Sequence, residues 1–392
     1  MRLTGEGCAG SDRGMGSLKR AGLAAAIAAA PLGLAYRFAL TYRARAGYPR
    51  PHPPLIDPAD LGLPFESVTV TAGDVHLPGW FIPARDGLPG PGVALVHGWE
   101  SARDRTLPNA LFLHAAGFHC LTIDVRGHGE NAAEELPVSA GEFGRDALAA
   151  FEGLIARPEV TIGAIFGHSM GAIGAILAGA ADERVAAIVA TSTPADPYRL
   201  TRQTFRLAKL PIPDPIAVPL AWFTTRVYLH PRGHDVRDIS ATSAIARYTG
   251  PVLLVHGQDD AVVPVSHLGR LARAARNARA GGAVLSTEPV ETLVIAGGQH
   301  SWLYEDPGYR ATIARFLARH LGGPLSPDEA ARIAEATPAQ RIPDGEQRFT
   351  AVAATPGGLR SFADLARPGA TRVATFAAAG PDDPAADEPG LG

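Results

Sequence analysis

Short runs of consecutive apolar residues alternate with helix-length stretches through most of the chain. Candidate strands fall at 93–96, 120–124, 161–166, 185–191, 252–255 and 291–295, and candidate helices at 106–116, 144–156, 170–181, 265–277 and 309–320. Strands apolar at successive positions must be covered on both faces, as in a parallel sheet flanked by helices. Ahead of this pattern, 66–71 and 75–82 read as two strands joined across Gly73-Asp74. Both residues tolerate positive φ, so the junction has hairpin chemistry.

The alternation is interrupted in four places. Residues 21–36 are apolar throughout, and extension to Leu40 gives a stretch broken only by Pro31 and Arg37. About 20 apolar residues are needed to span a bilayer, so the length is only just adequate. Membrane association through residues 21–40 is the leading expectation, as an N-terminal anchor; a cleaved secretory signal and an Ala-rich helix packed on the domain stay open beside it. Translation from Met15 would give the segment a compact basic start. Residues 48–64 form a Pro-rich linker that cannot build helix or sheet interior. Residues 193–249, rich in Leu, Ile, Phe and Trp and punctuated by Pro, read as a helical insertion in a body spanning 65–322. Beyond it, Ser326-Pro327-Asp328-Glu329 has the chemistry of a helix start. The Ala/Pro/Gly-rich acidic remainder reads as a disordered tail.

Charge sharpens this division. The 392 residues carry a formal net charge of -3, which argues against a nucleic-acid binder working through phosphate contacts. Residues 1–56 hold eight basic and two acidic groups, so the remainder carries -9. Cysteines occur only at 8 and 120, too few for a disulfide framework or a cysteine metal site.

The chemistry is in Gly167-His168-Ser169-Met170-Gly171, a G-x-S-x-G pattern between a predicted strand and a predicted helix. A serine presented on a sharp strand-to-helix turn needs small neighbours two residues either side. With 44 Gly and 14 Ser in 392 residues, chance alone gives about 0.2 such matches, so context must carry the assignment. The context is a carboxylate and an imidazole, each after the carboxyl end of a predicted strand: Asp259-Asp260 after 252–255, and His300 after 291–295. Ligand crevices of parallel sheets lie at that edge.

With VALVHGW at 93–99, DVRGHGEN at 124–131, GHSMG at 167–171 and VHGQDDAVVP at 255–264, the chain resembles the α/β-hydrolase family over roughly residues 65–320. The resemblance implies an α/β fold with a mostly parallel sheet, helices on both faces, and 193–249 as a cap over the active site. It implies a catalytic Ser169, His300 as base, and Asp260 rather than Asp259 as the acid. It also implies oxyanion-hole N–H groups from Trp99 and Met170. The serine sets the chain apart from the branches that place aspartate at that position. Neither metal nor organic cofactor is implied.

The remaining candidates have plainer readings. His128, His168 and Asp124 are read as structural, and Cys120 as a buried strand residue. Pro231 and Gly233 prevent His230 and His234 from sharing a helical metal-binding face. The expected activity is hydrolysis of a small-molecule carboxylic ester through an acyl-enzyme. A serine aminopeptidase or an acyltransferase is the alternative, with Glu100 or Glu142 available to hold a substrate amine; a non-catalytic binding protein of the same fold is the remote one. Cap residues such as Leu210, Ile216 and Trp222 either line an acyl pocket or pack the cap onto the body. No feature of the sequence assigns an oligomeric state.

Overall fold

The computed structural model describes residues 11–282 and 288–342, with side chains from residue 29 onward. The tail expected beyond 342 lies outside the described residues. Among the described residues a single eight-stranded sheet has the order β1-β2-β4-β3-β5-β6-β7-β8. β1 (Glu66–Ala72) and β2 (Val75–Ile82) form the expected hairpin, and β2 also runs antiparallel to β4 (His119–Ile123). β3 (Gly90–Val96), β5 (Val160–His168), β6 (Ile188–Thr191), β7 (Val252–Gly257) and β8 (Val290–Ile295) continue the sheet in parallel from β4.

The continuous apolar runs are explained by two cores. Side chains alternate across a strand, so Ala94 and Val96 face one layer while Val93 and Leu95 face the other. The first layer holds α3 (Ala140–Ile155), α4 (Met170–Ala181) and α8 (Ser266–Ala280), through Phe143, Phe151, Ile173 and Leu271. The second holds α2 (Leu107–Ala115), α9 (Pro307–Leu321) and α10 (Pro327–Ala336), through Leu113, Phe316 and Ala330. Burial of one such phenylalanine contributes about 1.5–3 kcal/mol.

Three features outside the sheet bear on the site. The linker contains a one-turn 3₁₀ helix, Pro58–Leu61, capped by Asp57 with proline at its first position. The missing proline N–H costs nothing there. The 193–249 segment folds into α5 (Pro197–Leu207), α6 (Asp214–Leu229) and α7 (Ala241–Ile245). The N-terminal segment belongs to a 36-residue helix, α1 (Ser11–Ala46). Among the described residues, no helix is long and apolar enough to cross a membrane. Instead the C-terminal part of α1 is docked, with Phe38 and Tyr42 buried against Phe205 and Ala221 of α5 and α6. Burying those aromatic faces ties this part of the helix to protein.

Asp124, just past β4, is a fully buried hub. It accepts the Arg103 backbone N–H at 2.7 Å and the Glu130 N–H at 2.9 Å, and pairs with the Arg103 guanidinium. Burial pushes its carboxyl up, against the opposing pull of Arg103. Removal of one member of a buried pair strands the other. Asp124→Ala is therefore expected to cost about 3–5 kcal/mol, read as a lowered urea midpoint with an unchanged slope.

Candidate active site

β5 ends at His168 and α4 begins at Met170, leaving Ser169 as the sole residue of the turn. Its backbone sits at φ 54, ψ -117, a conformation L-residues rarely adopt. The strain persists because its surroundings over-determine it. Ser169 N–H donates to Thr191 carbonyl at 2.9 Å, and Ala172 N–H donates to Ser169 carbonyl at 3.0 Å. A Cβ on Gly167 would lie 2.2 Å from Gly171 carbonyl oxygen, and one on Gly171 would lie 2.3 Å from those of Val96 and His97. Glycine at both positions is a steric requirement.

The loops after β7 and β8 bring their side chains to the serine. His300 Nδ1–H donates to Asp260 Oδ2 at 2.7 Å, and Ser169 Oγ–H donates to His300 Nε2 at 3.1 Å. All three residues are buried. Asp260 Oδ1 accepts the backbone N–H groups of Val262 and Val263 at 2.9 and 2.7 Å. Burial alone would raise the Asp260 carboxyl, but His300 and His256 outweigh it and hold it well below the ordinary carboxylate range. Asp259 is exposed.

A fixed carboxylate on Nδ1–H selects the tautomer whose Nε2 accepts a proton. Trp99 lines the same cavity as Ser169 and His300, and Met170 opens α4 directly after the serine. The backbone between them is close: a Cβ on Gly98 would sit 3.2 Å from Ser169 Cβ.

Three groups support this arrangement, of which the sequence reading named only His168, as structural. His168 Nε2–H and Ser192 Oγ–H both donate to the His300 carbonyl, at 2.8 and 3.0 Å. They pin the backbone that carries the His300 imidazole. His256, one residue before the end of β7, donates to Val263 carbonyl at 2.7 Å and stands 3.4 Å from Asp260. His128 is buried against His97, Trp99 and Phe143, consistent with a structural part. His234 is tied to Glu142 at 2.8 Å, and burial is outweighed there by His234 and Ser139, which take Glu142 down to about 2. Cys120 is a buried β4 residue whose thiol is pushed up by burial.

The serine and histidine open onto a cavity of about 630 Å³. Its lining corrects the expectation that the insertion roofs the site: no residue of 193–249 takes part. One wall is the Pro-rich linker, including His52, Pro53 and Leu55, and another is the stretch from Ser301 to Tyr304. The linker is fastened by Leu55 N–H donating to buried Asp104 Oδ2 at 2.8 Å. The cap departs because α5 and α6 spend their apolar faces on each other and on α1. Glu100 lines the cavity and Glu142 does not.

A strained serine turn, with an imidazole and a carboxylate at the carboxyl edge of a parallel sheet, defines the class: a hydrolase of the α/β type. The chain belongs to the alpha/beta hydrolase family, whose sequence profile matches residues 93–313. Human protein ABHD12B is 28% identical over 252 residues, covering 61% of this chain and 64% of its own length. This chain thus spans slightly under two-thirds of that relative. The Xenopus tropicalis protein named lysophosphatidylserine lipase ABHD12 is 25% identical over 235 residues, 58% of this chain and 57% of its own. Among solved structures, Pyrococcus furiosus esterase Pf2001 superposes with a TM-score of 0.55 at 20% identity, covering 70% of this chain and 98% of its own. That likeness is one of fold.

Burial lowers His97 to about 4 and His128 and His168 to about 3, so all three are neutral at pH 7. An unfolded histidine protonates near 6.5. Between that value and about 3–4 the unfolded chain binds protons that the folded chain refuses, so stability falls as pH falls. Each histidine contributes about 1.4 kcal/mol per pH unit in that window. Urea midpoints are expected to drop steadily from about pH 7 to about pH 5.

Proposed function

We propose that the protein hydrolyses carboxylic esters through an acyl-enzyme formed on Ser169. The observation that carries this reading is the continuous relay from Ser169 Oγ through His300 to Asp260, at 3.1 and 2.7 Å. In the first half, Ser169 Oγ bonds to the ester carbonyl carbon while His300 Nε2 takes its proton. The tetrahedral oxyanion lies toward the N–H groups of Trp99 and Met170, each worth about 2.7–4 kcal/mol. Collapse expels the alcohol, which leaves with the proton from His300. In the second half, water attacks the acyl carbon with His300 again as base, and the acid departs as Ser169 is regenerated.

The cavity favours an acyl chain or another sizeable apolar group. Trp99, Phe166, Trp302 and Tyr304 line it beside the serine. A lipid-like ester suits such a lining, in keeping with the lipase name of the amphibian relative. A second reading, cleavage of an aminoacyl amide, draws support from Glu100, which borders the cavity where a substrate amine could be held.

Ser169→Ala is expected to abolish hydrolysis of short aryl esters and labelling by a fluorophosphonate. Asp260→Asn should lower kcat by about 10⁴ while leaving the fold intact. A panel of aryl esters of increasing acyl length, run beside aminoacyl amides on the full chain, separates the two readings. Wild-type rates in Ser169→Ala overturn both; preference for the amides overturns the ester assignment.

A further inference from the structure

The insertion contributes nothing to the cavity wall, yet it presents apolar side chains to solvent. α1 and α6 lie side by side and run in the same direction. Phe38 shares a cluster with Ala221, Arg43 donates to Val227 carbonyl at 3.1 Å, and Tyr228 OH donates to Ala46 carbonyl at 3.2 Å. This register sets the exposed stretch of α1 ahead of Phe38 beside the N-terminal half of α6. Leu32, Leu34 and Tyr36 of the first and Ile216, Val218 and Trp222 of the second are 43–64% exposed. On α6, exposed Pro215, Val218, Pro219, Trp222 and Arg226 follow helical spacing along one stripe. The Arg226 guanidinium lies 4.5 Å over the Trp222 ring.

Charge identifies what this face meets. By sequence α1 holds six basic residues and one acidic, and 197–229, from α5 through α6, five and one. Of those with described side chains, Arg37, Arg206, Lys209 and Arg226 are exposed, with Arg202 and Arg206 paired to Asp214 and Arg226 to Asp235. Together these stretches carry +9 in a chain whose total is -3, leaving -12 for the rest. A second copy seated by two-fold symmetry would bring this basic face against itself. An anionic lipid surface complements it, and apolar side chains edged by arginine, with tryptophan among them, suit the headgroup boundary.

We infer that the joint face of α1 and α6 docks the protein on an anionic bilayer surface, lying in the interface without crossing it. The insertion is then a membrane-facing platform, and its apolar residues serve lipid rather than an acyl pocket. This inference does not depend on the ester assignment.

The test is co-sedimentation of the full chain with vesicles of roughly one part phosphatidylglycerol to two of phosphatidylcholine. Wild-type protein should bind, and added salt should release it. Val218→Asp/Trp222→Asp and, separately, Leu32→Asp/Tyr36→Asp should each weaken binding by about tenfold or more. Because these positions are exposed and take no part in the cavity lining, cleavage of a short soluble ester and the urea midpoint should stay unchanged. A Trp222→Phe difference spectrum should show that the emission of Trp222 shifts to the blue on binding. The inference is overturned if wild-type protein ignores the vesicles, if both double variants bind as wild type does, or if Trp222→Asp dissociates a vesicle-free dimer.

Discussion

The structure turns on one strained residue. Ser169 occupies the whole of the passage from β5 to α4, at a positive φ that its own side chain disfavours. With no spare residue, strand and helix must meet at a fixed angle, and only glycine fits two residues to either side, at 167 and 171. The strain is of the order of 1–3 kcal/mol and must be held by the elements around it. β6 holds it through the Thr191 carbonyl, and β3 passes so close behind that Gly171 nearly touches its backbone. The parallel order β3-β5-β6-β7-β8 is thus the frame that holds one serine upright, as well as the core of the molecule. Because β7 and β8 lie next in that order, their trailing loops reach the serine from the same edge.

Electrostatics follows from the same burial. Asp260 stays ionised inside the protein because four groups converge on it: His300, His256 and the backbone N–H groups of Val262 and Val263. The neighbouring histidines respond in the opposite sense. His97, His128 and His168 lose their charge to desolvation and act as neutral, directional hydrogen-bonding and packing groups. A single fixed negative charge therefore faces a single mobile proton on His300. No competing cation from these three histidines blurs that polarity at neutral pH.

Much of this was legible in the sequence because its determinants are local. Six apolar runs located the parallel part of the sheet, and the glycine spacing at 167 and 171 located the turn, since both are consequences of sterics within a few residues. Asp260 was distinguishable from Asp259 only through the family resemblance, because nothing in two adjacent aspartates says which one the loop turns inward. The start of α3 was readable but passed over: Ser139 and Glu142 form a capping box that begins the helix before the 144 expected from periodicity. What sequence could not carry was long-range. His168 and Ser192 meet the His300 carbonyl across separations of 132 and 108 residues, and no local pattern encodes such a meeting. The destination of the insertion was equally hidden, since an amphipathic helix declares that it will bury a face without declaring against what.

The N-terminal segment shows the physical cost of reading proline as mere separation. Proline-rich chain is stiff and extended, and so is a good wall where a helix or strand would demand partners for its backbone. Residues 47–55 leave the docked end of α1, pass Val138, whose N–H donates to Gly47 carbonyl at 2.7 Å, and reach Asp104 through Leu55. On the way they form one side of the cavity that holds Ser169. Gly47 is confined there, since a Cβ would lie 2.6 Å from Arg43 carbonyl oxygen and 2.7 Å from Pro137 Cβ. The helix on the cap and the wall of the cavity are consequently joined by nine residues fixed at both ends. Such a connection holds the linker wall in place from both sides. The insertion, though absent from the lining, packs against the helix from which that wall departs.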